Sequence, residues 1–391
     1  MGYILKNMRE KLKHELEKIK AEGLYRSLPD IDEGAGKYII SGGKCLLNLA
    51  SNNYLGISKK KELVDESAAA LKAFGCSSGA SRVVTGNFSL YNSLEKEMAD
   101  FKETESCLVL NTGFMANLAV ITSLAGRHTA VFSDKLNHAS IIDGIKLSGA
   151  RHIRYRHNDM AHLAELLEQY KDTEEKIIVT DSVFSMDGDR ADLAEIVRLA
   201  EKYGALTVAD EAHATGILGG GRGLARELGL EKRIDVHMGT FSKALGSFGA
   251  YIAGDAEIID YIRNKGRAFI FTTSLPPAVI GANLGALKWL RDNPSCGHRL
   301  LEKAKTVRIA LNEAGFDTAD SSTQIIPVII GDNFKVQQAG TLLEEAGIKA
   351  GVIRPPTVPD GTARLRLSVR LDLNDEEVQH VISSVRRLKN A

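Results

Sequence analysis

Between residues 107 and 253 the chain keeps repeating one pattern: a short, mostly apolar run, a loop, then a stretch with helical spacing. The runs fall at 107–110, 130–132, 177–180, 206–209, 236–238 and 250–253. Helical spacing follows at 113–124, 140–148, 160–170, 193–203 and 256–265. Strands that are apolar on both faces must be covered on both faces. With helices between them, they form a mainly parallel sheet sandwiched by helices, an α/β arrangement. A long helical pattern then opens at Pro276-Pro277 and stops before Asn293-Pro294.

Beyond it the order is helix 298–314, strand 325–330, helix 334–346, strand 364–369 and helix 375–389, an α+β pattern. A single core rarely grows past roughly 250–300 residues, and this chain has 391. The expected division is an N-terminal helix and connector over 1–50, a large domain over 51–290 and a smaller one over 291–391. Met8, Leu12, Leu16 and Ile19 form an apolar stripe at helical spacing over 8–22, expected to pack on another surface.

Charge balance removes several function classes. Lys plus Arg (50) equals Asp plus Glu (50), so there is no basic excess for nucleic acid or a membrane surface. No run approaches the roughly 18 apolar residues of a membrane span, and the charged stretch 6–20 has no signal-peptide character. A cytoplasmic protein is expected. The four cysteines (Cys45, Cys76, Cys107, Cys296) form no CxxC pair and read as free thiols. No HExxH or Cys/His cluster occurs, so no metal site is expected. The absence of GxxxxGK[ST] argues against a Walker-type ATPase, and Gly219-Gly220-Gly221-Arg222-Gly223 lacks the spacing of a dinucleotide fingerprint.

In open α/β sheets ligands sit where strands end, so the polar residues after each run carry the functional signal. Asp210 closes run 206–209, and Lys243 follows run 236–238 within Thr240-Phe241-Ser242-Lys243. A lone Asp there reads as a helix cap. A lysine among small residues at a sheet edge is a poor choice for a solvated face; desolvated, it becomes a nucleophile and base. The two lie one crossover apart and fit opposite ends of a ring-sized ligand: the acid keeps a pyridine nitrogen protonated, the amine bonds a carbonyl. Asn111-Thr112-Gly113-Phe114 leads into a helix whose first turn offers backbone N–H groups to a phosphate. His138 either stacks on a flat ligand or caps its helix. Ser185 reads by itself as a turn residue.

These motifs, with Leu49-Ala50-Ser51-Asn52-Asn53-Tyr54-Leu55-Gly56, Asp210-Glu211-Ala212-His213 and Ala363-Arg364-Leu365-Arg366, resemble in order the α-oxoamine synthases of the fold-type-I pyridoxal-phosphate superfamily. The resemblance implies a mainly parallel seven-stranded sheet, a smaller C-terminal domain and pyridoxal 5'-phosphate as cofactor. It implies catalytic roles for Lys243, His138, Asp210 and His213, with Lys243 as the cofactor's covalent anchor and the base for the amino acid's α proton. Asp210 then partners the ring nitrogen, His213 the phenolic oxygen, and His138 stacks on the ring. Gly113, Phe114, Ser185 and Thr240 become cofactor contacts. Thr273 and Ser274 become phosphate contacts supplied across a homodimer interface. Asn52, His138 and Arg366 surround the substrate, Arg366 as the carboxylate clamp.

The segment 353–364, with Thr357, resembles the branch that joins L-alanine to pimeloyl-CoA or a pimeloyl-acyl-carrier protein, giving 8-amino-7-oxononanoate for biotin synthesis. Glycine acetyltransferases usually have Phe-Pro in place of Arg354-Pro355-Pro356. Glycine acetyl transfer is the alternative within the family, and a non-catalytic partner subunit is the alternative outside it; Lys243 argues against the latter. Two residues depart from the branch pattern: Glu211, where aspartate is usual, and Tyr25, where some members have an acyl-contacting arginine. Arg26, beside Tyr25, is the candidate for that contact.

Overall fold

The computed structural model describes residues 2–34 and 36–390. Among the described residues twelve strands form two sheets: β1 Tyr38–Ser41, β2 Lys44–Leu49, β3 Ser106–Leu110, β4 Ala130–Asp134, β5 Arg151–Tyr155, β6 Lys176–Asp181, β7 Leu206–Asp210, β8 Val236–Thr240, β9 Ala250–Gly254, β10 Ile325–Gly331, β11 Ile348–Ile353 and β12 Ala363–Ser368. The larger sheet has seven strands in the order β3-β9-β8-β7-β6-β4-β5. It is parallel from β8 through β5, and β9 runs antiparallel to both its neighbours. This is the fold-type-I arrangement expected above, with each apolar run becoming a strand.

The strands extend one or two residues past the apolar runs, and those extra residues include Asp134, Asp181, Asp210 and Thr240. Short β-branched runs favour strands, and covering helices bury both sheet faces in two core clusters. Helix boundaries follow side-chain caps: Asp192 accepts from Glu195 N at the start of Leu193–Tyr203, and Asp159 from His162 N at the start of Met160–Gln169.

The smaller sheet has the order β1-β2-β11-β12-β10. The connector after the first helix therefore supplies two strands to a sheet otherwise built near the C-terminus, with β2 parallel to β11. The helix Gly2–Ala21 forms, and Met8, Leu12 and Leu16 of its stripe are exposed in the single chain. No helix among the described residues is long and apolar enough to cross a membrane.

Candidate active site

The register of the large sheet sets acids side by side. Asp181 at the end of β6 pairs with Asp210 at the end of β7, and both are buried. Asp210 accepts from Asn117 Nδ2 at 2.8 Å and from Ala212 N at 2.9 Å, a donor set that suits its ionised form. Asn117 lies on the helix Gly113–Leu124, so the helix after β3 fixes the acid at the end of β7. Burial, with Asp210 alongside, pushes the Asp181 carboxyl well up. Asp181 also accepts the His138 backbone N–H at 2.7 Å.

β8 ends on Thr240, whose Oγ1 donates to Gly249 O at 2.7 Å and accepts from Ser242 N at 3.1 Å. This turn presents Lys243, whose Nζ lies 3.0 Å from His213 Nε2. Burial is the largest influence on the lysine and Arg366 acts with it. Asp210 and Asp181 oppose them, leaving the amine at about 8. His213 is buried, and burial followed by Lys243 and Arg366 holds it well below its usual value, as a neutral imidazole.

The small sheet completes the site. Arg366 on β12 donates from Nε to Ser185 O at 2.6 Å. Its Nη1 donates to Asn52 Oδ1 at 3.1 Å and its Nη2 to Tyr54 Oη at 3.0 Å. Gln324, just before β10, donates to His213 O at 3.0 Å. Lys243, His213, Asn52, Arg366 and the Ser185 main chain are thus brought together, although they come from distant parts of the sequence.

His138 caps its helix: its Nδ1 accepts from Ser140 N at 3.3 Å at the start of Ala139–Ser148. Its ring meets Phe114 edge-on, with centroids 6.5 Å apart. Burial lowers its pKa, so it too is neutral. Thr112 caps Gly113–Leu124 by accepting from Met115 N at 3.1 Å. Helix geometry leaves the N–H groups of Gly113 and Phe114 without intrahelical acceptors.

Thr273 and Ser274 separate. Thr273 is exposed. Ser274 turns inward: its hydroxyl lies 2.9 Å from Gly86 O and 3.1 Å from Ala80 O, and it is buried. Its hydrogen is used within its own chain, which fixes the turn that carries Thr273. Arg26 and the Thr357 segment do meet: Arg26 Nη2 donates to Pro355 O at 3.3 Å, and Thr357 is exposed beside it.

Sequence reasoning missed Tyr54, Asn117, Asp181, Gln324 and His157. Asp181 carried a readable signal, an acid closing an apolar run. His157 lies between Asp134 Oδ1 and Asp189 Oδ2, 3.0 Å from each. Burial pushes this imidazole down, but the two acids outweigh it and carry it up to about 10. The glycine run 219–223 also gains a purpose. Glu211 pairs in the interior with Lys102 and His237. Burial raises its carboxyl, yet Lys102 and His237 hold it down to about 2. Gly223, at φ 114°, passes so close that a Cβ there would sit 2.2 Å from Glu211 Oε1.

The chain is similar to known proteins over most of its length. The family model described as aminotransferase class I and II matches residues 44–385. A Bacillus cereus protein provisionally named 8-amino-7-oxononanoate synthase is 47% identical over 382 residues, covering 97% of each chain. A solved serine palmitoyltransferase from S. paucimobilis, with bound PLP and myriocin, has TM-score 0.93 at 30% identity over 98% of each chain. An 8-amino-7-oxononanoate synthase from Francisella tularensis has TM-score 0.75 at 26% identity, covering 88% of this chain and 98% of its own.

Proposed function

Because the chain belongs to the class I and II aminotransferase family, we propose that it is a pyridoxal-phosphate α-oxoamine synthase that condenses L-alanine with a pimeloyl thioester. The products are 8-amino-7-oxononanoate, carbon dioxide and the free thiol. The observation that carries this reading is the convergence of Lys243, Asp210 and Arg366 around His213 and Tyr54. The relatives' names point to the same reaction.

The residues fit the cofactor by their chemistry. Asp210 suits a protonated pyridine nitrogen, and Lys243, with its lowered pKa, suits a bond to the aldehyde carbon. The helix start at Gly113 and Phe114 and the Thr240 turn suit a phosphate. His138 and Phe114 suit the ring face, and His213 and Ser185 its phenolic oxygen side. Thr273, exposed, is assigned to the phosphate of a second subunit. When bound, pyridoxal phosphate supplies an electron sink for charge at the amino acid's α carbon.

The protein's own groups do the rest. Arg366 is the charged partner assigned to the substrate carboxylate, aided by Asn52. Lys243, once free, takes the α proton, and an amine near 8 is a suitable base at physiological pH. Thr357 and Arg26 face the acyl substrate. A homodimer is part of this reading. Val83, Val84 and Phe271 are exposed apolar residues on two segments that Ser274 ties together, and a second copy would cover them.

A second reading has its own support: the solved serine palmitoyltransferases match with higher TM-scores than the oxononanoate synthase. Thiol release measured with alanine, serine and glycine against pimeloyl-, palmitoyl- and acetyl-CoA separates the two. Alanine with pimeloyl-CoA is expected to be fastest; faster release with serine or glycine overturns the proposal.

A further inference from the structure

Asn117 was absent from the sequence-derived site, yet it stands between two residues assigned to it. It lies on the helix Gly113–Leu124 and is fully buried. Its Nδ2 donates to Asp210 Oδ2 at 2.8 Å and to Ser140 Oγ at 2.9 Å. Ser140 Oγ in turn lies 2.7 Å from His138 Nδ1, and the Ser140 backbone N–H points at the same nitrogen from 3.3 Å. None of these contacts involves Lys243.

An inventory of hydrogens follows from the chemistry of each group. The amide has two hydrogens on Nδ2 and none on Oδ1. Turned the other way, it would set Oδ1 against a carboxylate oxygen, so its hydrogens face Asp210 and Ser140. The consequence is an Oδ1 that is buried without a partner among the described residues. Ser140 Oγ receives a hydrogen from Asn117, and its own hydrogen needs an acceptor. Ser140 is fully buried, and the acceptor its hydroxyl meets is His138 Nδ1. That nitrogen is therefore bare, as the backbone N–H aimed at it also requires. A neutral imidazole with a bare Nδ1 carries its hydrogen on Nε2.

We propose that Asn117 and Ser140 are positioning residues that tie Asp210 to His138, so that the imidazole works in the site as a hydrogen-bond donor through Nε2–H and not as a base. Asp210 sets the amide, the amide sets the hydroxyl, and the hydroxyl sets the ring. One amide thereby aligns the acid assigned to the cofactor's nitrogen with the imidazole assigned to its face. The charged groups facing His138 are Asp210, Lys243 and Asp143. Its Nδ1 meets Ser140 alone among the described residues. The proposal rests on the assignment of Asp210 and His138 to the cofactor, and it does not depend on which amino acid or thioester is the substrate.

The test uses the full chain with ¹⁵N-labelled histidine, both free and loaded with pyridoxal phosphate, and His138→Gln assigns the signals. In both forms of the wild type, where His138 is neutral, Nδ1 is expected to be bare and Nε2 protonated. Asn117→Asp reverses the inventory. A carboxyl oxygen in place of Nδ2 has at most one hydrogen, which goes to Asp210, and it accepts the Ser140 hydrogen instead. Ser140 is then an acceptor toward the ring, and Nδ1 is expected to become protonated. Ser140→Ala, a smaller change that leaves Asp210 its amide partner, is expected to let both tautomers appear. A hydrogen on wild-type Nδ1, a bare Nδ1 in Asn117→Asp, or a single Nε2–H tautomer kept in Ser140→Ala overturns the proposal. A chain that takes up no pyridoxal phosphate fails the proposed function instead, while its free form still reads the tautomer.

Discussion

Lys243 and Arg366 show how much a single side chain owes to its surroundings. Removing the lysine by Lys243→Ala is expected to lower kcat by about 10²–10⁴-fold or more, the scale of general base catalysis alone. Far-UV circular dichroism is expected to stay unchanged; retained turnover would remove the central role given to this residue. Arg366→Lys keeps a positive charge but loses the planar fork that reaches Ser185, Asn52 and Tyr54 together. Charged hydrogen bonds contribute about 1.5–3 kcal/mol each, so the KM for the amino acid is expected to rise by roughly 10–100-fold. Asp210 and Lys243 were legible in the sequence because each follows an apolar run. Tyr54 was not, since a tyrosine between Asn53 and Leu55 reads as ordinary core until its hydroxyl partners are seen.

At the level of elements, apolar runs made six strands of the larger sheet legible, with β10 and β12 of the smaller one, and the polar edges of others hid them. β5 reads Arg151-His152-Ile153-Arg154-Tyr155 and alternates because it is an edge strand with one neighbour. β11 is interrupted by Lys349 and Gly351, and it is recognisable as a strand only once β2 and β12 flank it. The loop after β5 carries His157, which joins Asp134 at the end of β4 to Asp189 in the loop bearing Ser185. Its pKa is raised in the folded state to about 10, against roughly 6.5 when unfolded. The folded state therefore binds the extra proton between these values. The stabilisation is full below pH ~6.5 and is lost as pH rises toward ~10. Thermal melts are expected to fall across that window in the wild type and to flatten in His157→Gln; parallel profiles would exclude the clamp. Gly223→Ala places a Cβ against Glu211 at a positive φ. It is expected to cost about 1–3 kcal/mol in urea unfolding.

For the whole molecule, the site exists only where the two sheets meet. The larger sheet supplies Asp210, Thr240 and the turn to Lys243, and the smaller supplies Arg366. Contacts across the junction include Arg364 with Asp187 at 2.6 Å and Thr323 Oγ1 with Gly188 O at 2.8 Å. A second copy of the chain is the further layer proposed above. Phe271→Asp is expected to convert the dimer to monomer in sedimentation and to weaken cofactor retention. A dimer unaffected by this change would place the interface elsewhere. The sequence made the two-part order of elements readable, but the crossing of β1 and β2 into the C-terminal sheet depends on pairing at long range, which local patterns do not encode.

The separation of Arg366 from Lys243 onto different sheets has an evolutionary consequence. On the function proposed above, substitutions on β12 and in the 353–364 segment would alter which acid and acyl chain are held, while the strand ends assigned to the cofactor would remain as they are. Lineages built on this plan are then free to exchange their metabolic inputs and retain one inherited chemistry.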